Sequence, residues 1–96
     1  MSNSTIDYTV EKFLVSDEPV MNIAIDVLQI LGKIDKLTIK GSGESCPPTV
    51  AVANIITQNM LKDKTRIDKI IVDSEVLDDG RLISIIEVTI TKINNQ

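Results

Sequence analysis

The apolar residues of this chain recur at spacings that divide most of it into elements. Val20, Ile23, Ala24, Val27, Leu28 and Leu31 follow the i, i+3, i+4, i+7 pattern of one helix face, and Gly32 is placed to end that helix. The stretch Tyr8–Val15 before it reads as a strand. Leu37, Thr38, Ile39 and Lys40 alternate with a period of two up to Gly41, which predicts a short strand after the helix. Pro47 and Pro48 then mark a helix entrance, with Pro48 near the first helical position. Val52, Ile55, Ile56, Asn59 and Met60 supply the inner face of that second helix.

The last third changes character. The runs Ile67–Ser74 and Leu82–Ile93 are rich in Ile, Val and Thr, and Asp79–Gly80 between them is a hairpin signal. In the final strand Ile86, Val88 and Ile90 share one face, while Glu87, Thr89 and Thr91 share the other. Ile83 and Ile85 put large apolar groups on that otherwise polar face, which calls either for cover by loops at the sheet end or for an oligomer contact. The predicted order is β-α-β-α-β-β, an α+β domain with two helices packed on one face of a four-stranded mixed sheet. No repeat or low-complexity block interrupts it, so residues 1–96 read as one domain with an ordered core of about 8–93 and loose ends at 1–6 and 94–96.

Composition narrows the functions open to such a domain. A chain of 96 residues holds a single core, at a size where dimerisation is a useful supplement, and leaves little room for a deep catalytic cleft. With one cysteine and no histidine, the usual zinc and Cys/His nucleophile constellations are absent. The Asp residues lack the spacing and glycine of a calcium loop. These readings predict no enzyme, no catalytic or metal residues, no cofactor and no small-molecule substrate. The segment MSNSTIDYTV lacks a basic region followed by an apolar run, and no stretch nears the roughly 18 apolar residues of a membrane span. The expectation is a cytoplasmic protein without a membrane partner. Net charge is −4, with ten Lys and Arg against fourteen Asp and Glu, which argues against an indiscriminate DNA coat.

One resemblance spans roughly Val10 to Lys92. The tetrapeptide Pro19-Val20-Met21-Asn22 sits between a strand and a helix. It is followed by the Leu37-Thr38-Ile39-Lys40-Gly41-Ser42-Gly43 segment, a second helix and a hairpin, and together these resemble the Alba proteins. That resemblance implies a dimeric, chromatin-type, archaeal DNA- or RNA-binding protein with the β-α-β-α-β-β fold reached from the pattern. The family's basic surface, however, is missing. Where Alba proteins typically read GKKPVMNY, this chain has Asp17 and Glu18 in place of the paired lysines. Where they read KARGRAISKA, it keeps Lys40 but has Ser42, Glu44 and Pro48 at the later basic positions. Restoring those residues would turn the chain from acidic to basic.

Physical chemistry supplies a plain reason for the acids. Asp17 and Glu18 before a helix favour the macrodipole by about 0.3–1 kcal/mol each and suit an N-terminal cap and first turn, whereas a docking role toward a basic partner is the alternative. Under either reading a dimer presents carboxylates where its relatives present lysines. The remaining candidates for nucleic-acid contact are Lys40, the loop glycines Gly41 and Gly43 leading to a helix N-terminus, and Arg81 on the hairpin. Each also has an ordinary reading: the glycines as a turn needing positive φ, Lys40 and Arg81 as solvated surface. Glu44 beside the loop and Asp78 and Asp79 beside Arg81 weaken the phosphate reading. Cys46 reads as a half-buried structural thiol, since Glu44 nearby opposes the thiolate. The functional expectation is a nucleic-acid-associated protein that binds DNA or RNA weakly, as a homodimer or as the acidic half of a heterodimer with a basic Alba paralogue. On that reading it is nucleoid-associated. The alternative is an Alba-fold dimer that has left nucleic acid and serves as a protein-interaction or regulatory module.

Overall fold

A computed structural model of the chain describes residues 10–93. The elements are β1 (Val10–Leu14), α1 (Val20–Leu31), β2 (Lys36–Ser42), a 3-10 turn (Gly43–Ser45), α2 (Cys46–Ile55), a π-helical turn (Ile56–Met60), β3 (Thr65–Val76) and β4 (Leu82–Lys92). The order is the one read from the sequence. The strands form one sheet in the order β1-β2-β4-β3, with β1 parallel to β2 and the other pairs antiparallel. A parallel pair cannot be joined by a tight turn, and α1 is the crossover that joins this one. Tyr8, Thr9 and the tails 1–6 and 94–96 lie outside the described residues.

Register fixes which side chains meet the helices. Leu37 and Ile39 of β2 stand opposite Ile90 and Val88 of β4 on one face, and all are buried. Against them pack Ile23, Ala24, Val27 and Leu31 of α1 with Val52, Ala53 and Ile56 of the second helical segment. Each large side chain withdrawn there from water contributes about 1.5–3 kcal/mol. The second helix lies over β2 and β4. The helix-side flank of β3 is bare, with Ile70 54% and Val72 74% exposed.

The opposite, open face of the sheet is polar with an apolar end. Thr38 and Thr89 are buried there and share a 2.7 Å hydrogen bond between hydroxyls. The ion pairs Lys12–Glu87 at 3.3 Å and Lys36–Asp68 at 3.6 Å stand around them. Ile83 and Ile85 are half-buried on this face beside β3, whose Asp73 and Glu75 stand opposite them in register. Among the described residues no helix is long and apolar enough to cross a membrane.

Several local expectations are corrected. The second helix begins at Cys46, so Pro47 and Pro48 take its second and third positions; the first helical N–H groups have no partner, and a proline costs nothing at either. Gly32 does end α1 as read, but in a right-handed conformation, its N–H bonded to the carbonyls of Leu28 at 3.1 Å and Gln29 at 3.2 Å, so its conformational freedom is unused. Asn59 is exposed, not on the inner face. The N–H of Leu61 reaches the carbonyl of Ile56 at 2.8 Å, a five-residue step, and the wider turn rotates Asn59 outward. Finally, the residue capping α1 is Pro19, which offers no side-chain hydrogen bond. Asp17 and Glu18 precede the cap and leave the first turn without acids, so the expected capping role is not realised.

Candidate nucleic-acid interface

The strands and helices alternate in direction, so the connections collect at two ends of the molecule. One end gathers residues 15–19 between β1 and α1, the Gly43–Ser45 turn before α2, and the hairpin loop after Val76. These are the segments that carry the sequence candidates.

Residues far apart in sequence meet at this end. Ser16, Asp17, Glu18, Ser42, Glu44, Ser45 and Pro48 line one open recess of about 410 Å³. The carboxylates from both helix entrances therefore face the same space, together with hydroxyls. Such a lining attracts cations and hydrogen-bond donors and repels phosphate. Ser42, Glu44 and Pro48 are the positions where the family pattern carries basic residues, and Asp17 and Glu18 replace its paired lysines.

The loop glycines do different jobs. Gly43 adopts a φ of +56° with open space around its Cα, and so supplies the positive-φ turn that leads into the helix. Gly41 lies within β2 and is buried. A Cβ built there would collide with the Thr49 hydroxyl and the Ser45 carbonyl, so Gly41 permits close approach of β2 to the start of α2. Thr49 completes the junction by donating to the Ser45 carbonyl at 2.7 Å. Cys46 is half-buried, its single S–H within reach of the carbonyls of Gly41 at 3.5 Å and Ser84 at 3.4 Å, between the helix start and two strands.

The cationic candidates are scattered. Lys40 stands opposite Leu14 and Glu87, on the open face of the sheet, and among the described residues it has no ion-pair partner. Arg81 ends the hairpin loop, where Gly80 has a φ of +89° and its N–H bonds to the Leu77 carbonyl at 2.8 Å. The guanidinium donates from Nε to an Asp79 oxygen at 2.7 Å, and the second oxygen of that carboxylate accepts the Arg81 backbone N–H at 3.1 Å. The one cation of the loop is thus paired within the loop itself. Since Lys40 is in register with Glu87, six positions along β4 from Arg81, the two are about 20 Å apart. They make no single binding site. The serines of the recess and the Gly41–Thr49 junction were not singled out from the sequence; a glycine inside a strand pattern was the available signal for the junction.

Solved structures and a family model are similar to this chain. Alba from Thermoplasma volcanium superposes with a TM-score of 0.71 at 28% identity, over 83% of this chain and 98% of that one. ALBA1 from Trypanosoma brucei superposes with a TM-score of 0.70 at 14% identity, over 86% of this chain and 69% of that one, a likeness of fold alone. The sequence model of the Alba family matches residues 11–74, from β1 through most of β3 and across both helix entrances. On that match, and on the fold it accompanies, the chain belongs to the Alba family.

Proposed function

We propose that this chain is a nucleic-acid-associated Alba protein whose basic surface is degraded, binding DNA or RNA weakly by itself or acting as the acidic half of a mixed dimer with a basic paralogue. The observation that carries this reading is the recess shared by Asp17, Glu18 and Glu44 at the end where the family pattern is basic. Family membership supports nucleic acid as the ligand class, and the recess accounts for weakness at the body of the protein. Lys40 and the Gly43 turn are the remaining contacts there, with Arg81 on the hairpin as a second, separate one; Gly41, buried within β2, serves the junction and not the ligand. In a mixed dimer the partner supplies the phosphate contacts and this subunit dilutes them. This chain then works by binding, without catalysis, in the cytoplasm at the nucleoid. The same recess also suits a basic protein segment, which is the competing role of an interaction module.

Gel-shift titration at about 50 mM salt separates these roles, because phosphate contacts are strongest at low ionic strength. The chain alone should shift DNA or RNA only at micromolar concentrations or above. Mixed with a basic Alba paralogue, it should form a mixed dimer whose salt dependence is shallower than that of the basic dimer. No shift of either nucleic acid at high micromolar protein, alone or mixed, would leave the interaction module as the surviving role. A nuclease-resistant association in a pull-down from native lysate would point the same way.

A further inference from the structure

The end of the molecule opposite the acidic recess holds a pocket that goes beyond the proposed function and does not depend on nucleic acid. It lies where the end of α1, the turn after the π-helical segment, the start of β3 and the end of β4 come together, and its volume is about 380 Å³. That is at the small end of the roughly 300–1,000 Å³ of ligand sites. Leu28, Leu31, Leu61 and Ile93 form its apolar wall, and Lys64 and Lys92 are the charged side chains of its lining. Leu31 is fully buried, Leu28 and Leu61 pack against the core, and Ile93 is 38% exposed, so the wall runs from the core out to water.

The backbone around the pocket is held from within. In the turn from Leu61 to Thr65, the Leu61 carbonyl accepts the N–H groups of Lys64 and Thr65 and the Thr65 hydroxyl, each at 3.0 Å. The Lys64 carbonyl accepts the N–H of Ile93 at 2.8 Å, which fastens the turn to the end of β4 and brings the backbones of Lys64 and Lys92 close together. On α1 the carbonyls of Leu28, Gln29 and Ile30 are taken by the N–H groups of Gly32, Lys33 and Ile34. A helix C-terminus carries about half a negative charge, which two ammonium groups outweigh. Lys64 has no ion-pair partner among the described residues. Lys92 stands 4.0 Å from a carboxylate oxygen of Asp35, whose side chain is 89% exposed, and such a pair holds an ammonium group weakly. The wall is therefore apolar, and the charge it offers to a ligand is positive.

We propose that this pocket binds a carboxylate that carries an unbranched apolar chain of medium length, a fatty-acid anion. The chain lies against Leu28, Leu31, Leu61 and Ile93, and the carboxylate is held by Lys64 and Lys92. A wholly apolar ligand gains nothing from the two ammonium groups, and a small inorganic anion leaves the leucines in water. An amphipathic anion uses both halves of the lining, the apolar wall for affinity and the lysines for orientation.

Amide NMR of the isotope-labelled chain, titrated with octanoate, tests this directly. Octanoate should move the signals of Leu28, Leu31, Gly32, Leu61 and Thr65 with a Kd of about 0.1–1 mM, a range open to a ligand of so few atoms. Octylamine has the same chain and the opposite charge, and should bind at least about tenfold more weakly. Acetate, which lacks the chain, should move none of these signals at the same concentrations. Lys64→Glu should weaken octanoate about tenfold and strengthen octylamine. Lys33→Glu makes the same change in net charge but lies in a different recess, with Phe13 and Ile30, and should leave octanoate binding as it was. Lys64 is exposed, and circular dichroism of the variant checks that the fold is kept. Equal binding of octanoate and octylamine, or equal losses in the two variants, would remove the lysines from the site. Octanoate that moves none of the pocket signals, or moves those of the exposed Ile70 and Val72 as strongly, would remove the site itself. Each of these results overturns the proposal while leaving the gel-shift result for nucleic acid unaffected.

Discussion

Gly41 and Gly43 are two residues apart and respond to opposite constraints, which makes their substitution informative. Gly43 needs a φ of +56° but has empty space around it, so Gly43→Ala should cost about 1–2 kcal/mol, the strain of a left-handed alanine. Gly41 has an extended backbone, yet a methyl there meets the Thr49 hydroxyl and the backbone of Ser45, whose carbonyl carbon lies 2.9 Å from the ideal Cβ. Backbone cannot yield as a flexible side chain does. Gly41→Ala should therefore cost more, about 2–3 kcal/mol, by parting β2 from the start of α2. Urea unfolding of the two variants decides the order, and a larger loss at Gly43 would contradict the packing account. The Thr38–Thr89 hydroxyl pair makes a second residue-scale case. Thr38→Val strands a buried hydroxyl on Thr89 and should cost about 1–3 kcal/mol, whereas Val at both positions, of similar shape, should recover most of that loss. A double-mutant cycle showing simple additivity would mean the hydroxyls are satisfied separately.

At the scale of elements, the second helix shows where periodicity is a sufficient guide and where it fails. Val52 and Ile56 follow the helical spacing and are buried, as read; Asn59 continues the same spacing and is exposed. The π-helical turn at Ile56–Met60 intervenes, and nothing in the residue types Ile, Thr, Gln, Asn and Met announces a five-residue hydrogen bond. Ile56→Ala should cost about 2–5 kcal/mol, whereas Asn59→Ala should lie within about 0.5 kcal/mol of the parent. Equal losses on thermal unfolding would return Asn59 to the core. The same division runs through the rest of the chain. Element order, the first helix and the Asp79–Gly80 hairpin were legible because each is written in local spacing or turn chemistry. The recess was not, because it forms only when residues near position 17 meet residues near position 44 across the sheet end. The failed cap belongs to a third kind. Asp17 and Glu18 have the right chemistry for a helix N-terminus, but Pro19 takes the cap position and leaves them outside the first turn.

At the scale of the whole molecule, the net charge of −4 conceals an uneven distribution. The connections at the recess end carry Asp17, Glu18, Glu44, Asp78 and Asp79, with Arg81 as their cation. Those at the opposite end, residues 32–35 and 61–64, carry Lys33, Lys62 and Lys64 against Asp35 and Asp63, with Lys36 and Lys92 adjoining on the sheet. A phosphate backbone approaching the recess end meets repulsion that it does not meet at the other. Salt dependence can measure this polarity, since each phosphate neutralised by a cation adds about 0.9 to the slope of log affinity against log salt for duplex DNA. Replacing Asp17 and Glu18 with lysine and Glu44 with arginine should raise affinity for duplex DNA. It should also steepen the slope by up to about 2.7 per chain, one increment for each new contact. Reversing Lys62 and Lys64 to glutamate should leave the slope of that variant unchanged, because those side chains lie at the far end. If the second change abolished binding and the first added nothing, phosphate would be gripped at the lysine-rich end. The recess would then be a surface turned away from the ligand, free to receive a basic protein.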